Sequence, residues 1–189
     1  MEYTDFETFY GSLSHLKKKG VIWFGISGSW RKTNSEIEKE VRSIVKNIMA
    51  HGDGIVSGGA LSVDYFATDE ALISNPQADR IRVFLPVTLE LYASHYRRRA
   101  EEGVITKEQA EELIKQLADI RDANPNAIIG NDTNTIVDQE TYFARNTDVA
   151  NASDALVAFQ VNESGGVEDT VKKAIERGRP VFIRKFVIE

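Results

Sequence analysis

The sequence predicts an α/β fold in which one doubly wound, mostly parallel sheet carries helices on both faces. Short apolar runs alternate with amphipathic stretches along the chain, which is the pattern of strands alternating with helices. The first run, residues 21–26, is apolar on both faces, as a central parallel strand must be when helices cover both sides. Three of the predicted strands end in turns rich in glycine and serine that open helices.

In the first half of the chain, residues that cap or break helices and strands predict the boundaries of the elements. A leading helix is predicted within residues 1–20, over 4–19, because three lysines and a glycine suit a helix end. The sequence Ser35-Glu36-Ile37-Glu38 fits a capping box and predicts a helix to residue 49. The remaining predictions are a short strand at 55–56, a helix over 62–73 and a strand over 81–85 that ends before Pro86.

The second half repeats the alternation after an insertion. Residues 87–135 are predicted as two helices broken near Gly103, the second starting at Thr106, followed by a loop around a short strand at 127–129. The segments that follow are predicted as a helix over 138–152, a strand over 154–159, a helix over 167–177 and a strand over 180–183.

Length and composition indicate one domain spanning residues 1–189, with 42% apolar and 28% charged residues. Lys plus Arg is 23 and Asp plus Glu is 29, so the net charge is 23 − 29 = −6. A chain this acidic does not attract phosphate polymers globally, and nucleic acid is therefore not expected as a partner.

The absence of cysteine and the wide spacing of three histidines exclude disulfide frameworks and thiolate zinc sites, and we expect no metal and no cofactor. The longest apolar run is too short to span a membrane, and the acidic start is unlike a signal peptide. We therefore expect a soluble, cytoplasmic protein without membrane partners, and leave open whether it forms a homo-oligomer.

Three glycine-rich turns follow the first, second and penultimate strands. Parallel sheets bind ligands at the carboxyl ends of their strands, and helix N-termini beside glycine offer free amides to an anion. The turns therefore predict a site for a phosphorylated small molecule, although each is also compatible with a simple tight connection. They consist of Ser27-Gly28-Ser29, Ser57-Gly58-Gly59-Ala60 and Ser164-Gly165-Gly166.

Known phosphate motifs do not account for these turns. The chain contains neither Gly-x-Gly-x-x-Gly nor Gly-x-x-x-x-Gly-Lys-Ser/Thr, which disfavours a dinucleotide site and a P-loop. The segment from Gly25 to Ser29 also ends in Ser where the nucleophile elbow of serine hydrolases has Gly, so a serine hydrolase is rejected.

The order of these motifs resembles the SMF/DprA-LOG superfamily of Rossmann-like proteins over roughly residues 20 to 185. Its most specific piece is Ser-Gly-Gly-Ala followed by Asp64, four residues beyond Ala60, which is similar to the glycine-rich motif of the DNA-processing protein A family. The segment through Thr170 looks like the superfamily's phosphate-binding helix. The resemblance implies a nucleotide-like ligand.

The cytokinin-activating phosphoribohydrolases of this superfamily cleave N-glycosidic bonds of nucleoside monophosphates with a Pro-Gly-Gly-x-Gly-Thr-x-x-Glu motif and an Arg from the preceding helix. Gly165, Gly166 and Arg145 match that pattern, whereas Ser164 replaces the Pro and a lysine replaces the final Glu. A catalytic carboxylate would therefore have to come from another position in this chain.

Such hydrolysis needs a carboxylate near the anomeric carbon, and the local candidates are Asp64, Glu163, Glu168 and Asp169. Acidic residues in a first helical turn also complement the helix dipole without any chemistry. The run of arginines at 97–99 is interpreted as a solvated helix end. The predicted ligand-binding residues are Ser27, Gly28, Ser29, Arg31, Ser57, Gly58, Gly59, Ala60, Asp64, Arg145, Asn146, Ser164, Gly165, Gly166 and Thr170, and the predicted catalytic residues are Glu168 and Asp169.

Three functions remain open from the sequence. The preferred one is binding of a nucleotide or phosphorylated nucleoside, with the chain acting as a ligand sensor. The alternatives are an N-glycosidase of nucleoside monophosphates, which is a phosphoribohydrolase, and a processing protein that binds single-stranded DNA.

Overall fold

A computed structural model describes residues 3–18 and 20–189 and contains a parallel sheet with helices on both faces, which confirms the predicted fold class. The strands are β1 (Trp23–Gly28), β2 (Gly54–Ser57), β3 (Ile81–Leu85), β4 (Ile128–Gly130), β5 (Ala155–Val161) and β6 (Val181–Phe186). The helices are α1 (Phe6–Ser12), α2 (Ser14–Lys17), α3 (Ser35–Ala50), α4 (Val63–Ser74), α5 (Leu89–Glu101), α6 (Lys107–Ala123), α7 (Gln139–Ala152) and α8 (Gly165–Glu176), with a 3-10 turn at Pro125–Ala127.

The strand order is β4-β3-β2-β1-β5-β6, and every pairing within the described residues is parallel. The chain moves outward from β1 to β4 and then returns to place β5 on the other side of β1. The carboxyl ends of β1 and β5 thus meet where the direction of winding reverses, which is the point where open α/β sheets bind their ligands.

Alternate side chains of β5 show how both faces of the sheet are covered. Ala155, Val157 and Phe159 belong to the core that contains α1, α3 and α4, while Leu156 and Ala158 pack with α8 on the opposite face. All five are fully buried, as expected for a central strand of a parallel sheet.

The predicted leading helix is interrupted at Leu13. The Ser12 hydroxyl donates to the Phe9 carbonyl at 2.6 Å, and the Leu13 amide donates to the Tyr10 carbonyl at 2.9 Å, three residues back. This competition with the regular helix bonds divides the segment into α1 and α2. Residues 1, 2 and 19 of the predicted helix lie outside the described residues.

The predicted capping box at Ser35 is wrong, because α3 begins one residue earlier than expected. Asn34 is the N-cap, and its side-chain oxygen accepts from the Ile37 amide at 2.9 Å. Glu38 instead pairs with Arg42 one turn further on. Asparagine caps a helix as well as serine, so the two neighbouring candidates could not be separated by residue type.

The predicted start of the second helix at Thr106 agrees with α6, whose N-cap is Thr106. Thr106 and Gln109 form a capping box there, in which each side chain satisfies the other's backbone amide. Near the C-terminus, β5 and β6 extend beyond their predicted ends. Asn162 continues their pairing, since its amide donates to the Phe186 carbonyl and its side chain forms hydrogen bonds with both the amide and the carbonyl of Ile188.

No helix within residues 3–18 and 20–189 is both long and apolar enough to cross a bilayer.

Candidate functional site

A cavity of about 530 Å³ opens at the carboxyl ends of β1, β2 and β5. Its walls come from the three glycine-rich turns, from α7 and from one face of α5. Among the predicted ligand-binding residues, the cavity is lined by Ser27, Gly28, Gly58, Ala60, Asp64, Arg145, Asn146, Ser164, Gly165, Gly166 and Thr170. The other four, Ser29, Arg31, Ser57 and Gly59, do not line it.

Arg145 projects from α7 into this cavity and is 9% exposed. Its Nε is buried without a hydrogen-bond partner, and its Nη1 lies 3.7 Å from Asp64 Oδ2, too far for a hydrogen bond. The guanidinium also lies 5.5 Å from the ring centre of Tyr142. A buried charged donor without a partner raises the free energy of the folded protein. A ligand with an acceptor group could relieve this cost, because the described residues supply no acceptor for the Nε.

Gly58 provides the space that Arg145 occupies. A Cβ added at Gly58 would lie 1.3 Å from Arg145 Nη1. The guanidinium therefore rests on the bare backbone of the second turn, which explains why glycine is needed there even though its φ is not positive.

The amides of this second turn already have partners within the chain. Those of Gly58 and Ala60 both donate to Asp64 Oδ2 at 3.2 Å, and the Gly59 amide donates to the Ser57 hydroxyl at 3.1 Å. Burial raises the pKa of Asp64 to about 6, while Arg145 and the two amides oppose that shift. The turn thus contributes shape and a buried carboxylate to the cavity rather than free amides.

The first turn is also used mainly for packing. A Cβ at Gly28 would lie 2.4 Å from Val63, so this glycine lets α4 approach β1. The Ser29 hydroxyl accepts from the Lys32 amide at 3.1 Å and fixes the loop. Arg31 is exposed, with its guanidinium 5.4 Å from the ring centre of Trp30.

The third turn leaves a helix N-terminus open to the cavity. Ser164 is the N-cap of α8, and its side chain makes no capping hydrogen bond. Gly165 and Gly166 are exposed, and a Cβ at either would meet nothing within 4 Å. The first amides of a helix have no partners within it and carry the positive end of its dipole, so this turn retains anion-binding capacity.

The two carboxylates predicted as catalytic do not line the cavity. Glu168 is exposed and accepts from the Gln160 side chain at 3.2 Å. Asp169 accepts from Asn146 at 3.0 Å and from Lys173 at 2.7 Å, so its charge is already compensated. Asp64 and Asp138 are the carboxylates of the described residues that line it.

Sequence reasoning missed an aromatic and basic wall of the cavity. The run at 97–99 is only in part a solvated helix end: Arg97 forms an exposed pair with Glu111 at 2.8 Å, but Arg99 lines the cavity. The spacing of His95 and Arg99, four residues apart, would have placed both on one helical face. The missed lining residues with aromatic or basic side chains are Trp30, His95, Tyr96, Arg99, Tyr142 and Phe143.

Burial lowers the pKa of His95 and, together with the positive charge of Arg99 and Arg98, favours its neutral form. Its Nε2 lies 3.5 Å from the Tyr142 hydroxyl. Burial also raises the pKa of Tyr142. This wall is therefore uncharged apart from Arg99, and its rings offer flat surfaces.

The family model for DNA recombination-mediator protein A matches residues 9–188. The chain belongs to this family. The resemblance to the SMF/DprA-LOG superfamily is thereby confirmed for nearly the whole chain. No curated protein sequence matches it significantly.

Solved structures agree on the Rossmann-like fold of this family member. DNA processing protein A from Helicobacter pylori, described for its single-stranded DNA binding mode, has a TM-score of 0.63 at 20% identity, over 86% of this chain and 64% of that one. A molybdenum cofactor binding protein from Rippkaea orientalis has a TM-score of 0.56 at 15% identity, over 88% of this chain and 77% of that one. The chain thus spans less than two thirds of the Helicobacter pylori protein.

The expectation that nucleic acid is not a partner is wrong, because the family is one of DNA recombination mediators and the Helicobacter pylori structure is of a single-stranded DNA binder. That expectation rested on the net charge of −6, which averages over the whole surface. Single strands are bound by local grooves and stacking surfaces, whose composition a whole-chain charge does not describe.

Proposed function

We propose that the chain binds a nucleotide or phosphorylated nucleoside in the cavity at the carboxyl ends of β1, β2 and β5. The observation that carries this proposal is Arg145, a buried guanidinium whose Nε has no partner and which faces the cavity. A phosphate group supplies several acceptor oxygens at once and matches the fork of N–H donors on arginine.

The α8 N-terminus supports the same assignment. Its uncapped start at Ser164 and its exposed glycines line the cavity together with Arg145. Amides at a helix start and a guanidinium are complementary to one phosphate or to neighbouring phosphates. The cavity volume of about 530 Å³ is within the usual range for small-molecule sites.

Calorimetry tests this proposal with matched pairs of ligands. Each of the four common nucleoside 5′-monophosphates is compared with its free nucleoside at the same pH and salt. We expect the phosphorylated member to bind at least tenfold more tightly, because the site derives its affinity from donors directed at phosphate. Equal affinity within every pair would remove the phosphate site.

Single-stranded DNA binding is the second candidate, favoured by membership of the DNA recombination-mediator family. In this case the nucleotide in the cavity would be one unit of a strand, and the exposed Arg31, next to the cavity-lining Trp30, would contact a neighbouring unit. Fluorescence anisotropy of a labelled oligonucleotide separates the two candidates. Tight binding that a nucleoside monophosphate competes away supports a shared site, whereas tight binding without competition places the strand elsewhere.

A further inference from the structure

We propose that Trp30 is a stacking platform for the base of the bound nucleotide, so that the cavity selects base-bearing ligands over sugar phosphates. This inference rests on the proposed function and assigns the ligand class of the same site. It starts from exposure: Trp30 lies directly after the first glycine turn and remains 37% exposed.

Trp30 differs from the other large apolar side chains that the described residues expose. Those side chains are Val21, Ile73, Leu91, Ile136, Ile175 and Val187, and none of them lines the cavity. Trp30 lines it. An exposed indole at the mouth of a site that holds anion donors gains free energy when a flat apolar group covers it.

The loop that carries Trp30 is held in place on both sides. The Ser62 hydroxyl donates to the Trp30 carbonyl at 3.0 Å, and the Ser29 hydroxyl accepts from the Lys32 amide at 3.1 Å. These bonds tie the loop to the start of α4 and close its own turn. The backbone under the ring is therefore preorganised, which reduces the ordering cost of binding a base against it.

The position of Arg31 adds a charge to this platform. Its guanidinium lies 5.4 Å from the Trp30 ring centre and is exposed. The Trp30 indole thus offers an apolar surface next to the positive charge of Arg31. This combination fits a nucleotide, whose base is flat and whose phosphate is anionic, better than it fits ribose 5-phosphate, which has no base to cover the indole.

Fluorescence tests the proposal, because the chain has only two tryptophans. The other one, Trp23, is half-buried, with the Arg82 guanidinium 3.6 Å from its ring centre, and does not line the cavity. In a Trp23→Phe variant the emission comes from Trp30 alone. We expect nucleoside 5′-monophosphates to quench it and ribose 5-phosphate to leave it unchanged.

Affinities of the Trp30→Ala variant complete the test. Loss of stacking is expected to weaken nucleoside monophosphate binding roughly 5- to 100-fold, equivalent to about 1 to 3 kcal/mol, while ribose 5-phosphate binds as in the unaltered chain. Trp30→Phe should recover most of the affinity. Trp23→Phe is the matched control and should change neither affinity.

The outcomes separate this inference from the proposed function. If none of the four nucleoside monophosphates binds the unaltered chain, both fail. If they bind it and bind Trp30→Ala equally well, or if ribose 5-phosphate binds as tightly as they do, the nucleotide site stands and the stacking role of Trp30 is contradicted.

Discussion

Arg145 and Gly58 form the contact on which the site depends. The guanidinium lies where a side chain at Gly58 would be, Arg145 lines the cavity, and its buried Nε has no hydrogen-bond partner. Because the far end of an arginine is flexible, a methyl group at Gly58 would displace it without preventing folding. The two residues therefore act as one unit, in which glycine sets the position and arginine supplies the donor.

Gly58→Ala is accordingly expected to weaken nucleoside monophosphate binding about tenfold or more, although the new methyl group need not touch the ligand. Combined with Arg145→Ala, it should cause no further loss, since the guanidinium it displaces is already absent. Gly11→Ala is the matched control, because a Cβ there meets nothing within 4 Å. Additive losses in the double variant, measured by calorimetry, would show that Gly58 acts independently of Arg145.

Asp64 gives the site a measurable pH dependence. Its pKa is raised by burial from 3.8 to about 6, so the folded protein binds more protons than the unfolded chain between these two values. Stability therefore falls as the pH rises through this window, by an amount on the order of 3 kcal/mol, and the loss persists at pH values above the window.

Asp64→Asn removes the titration while keeping an oxygen that accepts from the Gly58 and Ala60 amides. Its stability relative to the unaltered chain should rise between about pH 4 and pH 7, as measured by denaturant unfolding at several pH values. Asp132→Asn, at an exposed loop position, is the control and should leave the pH profile unchanged. Parallel profiles for Asp64→Asn and the unaltered chain would contradict the assignment.

At the N-terminus of α8, helix stability favours a capped first turn, whereas anion binding favours free amides. An N-cap side chain normally bonds a free amide of the first turn, but Ser164 does not do so. The helix thus forgoes some stability and keeps its first amides available at the cavity. At the start of α3, outside the cavity lining, the Asn34 side chain does accept from an amide of the first turn.

Ser164→Asp should separate stability from binding. A carboxylate at the helix start favours the helix by about 0.3 to 1 kcal/mol, and it also repels a phosphate. We expect thermal or denaturant unfolding to show equal or greater stability and calorimetry to show weaker nucleoside monophosphate binding. Asn34→Asp adds the same charge at the start of α3, outside the cavity lining, and should not affect binding. Unchanged affinity in Ser164→Asp would remove the α8 N-terminus from the phosphate site.

The elements themselves were largely predictable from local sequence. Strands such as β3 were predicted with their observed bounds, because an apolar run ended by a proline has few alternative structures. The break at Leu13 and the cap at Asn34 were not predicted, since each depends on a competition between neighbouring hydrogen-bonding groups. Local sequence patterns predict the existence of a helix more reliably than they predict its first residue.

In the whole molecule, the parallel topology brings together residues that are far apart in the sequence. Gly58, Arg145 and Gly165 meet at one cavity because β1, β2 and β5 are neighbours with the same direction. The glycine turns made this convergence predictable. The wall formed by Trp30, His95 and Tyr142 was not, because nothing in the local sequence indicates which face of α5 or α7 turns toward the cavity.

The net charge of −6 was a poor guide to partners for a related reason. Acidic residues such as Glu168 and Glu176 lie exposed on helices outside the cavity lining, while Arg99 and Arg145 line the cavity. With Asp64 and Asp138 beside these two arginines, the cavity lining does not share the negative excess of the whole chain. Ligand binding follows the local arrangement of donors, which requires the folded structure.

The decisive measurement for the phosphate site is the affinity of Arg145→Ala for nucleoside 5′-monophosphates. Arg97→Ala, which removes an exposed arginine outside the cavity, is the matched control. Calorimetry should show a loss of roughly 10- to 100-fold for Arg145→Ala, corresponding to about 1.5 to 3 kcal/mol, no change for Arg97→Ala, and little change in nucleoside binding for either. Unchanged monophosphate affinity in a folded Arg145→Ala variant would contradict the assignment of this cavity as a phosphate site.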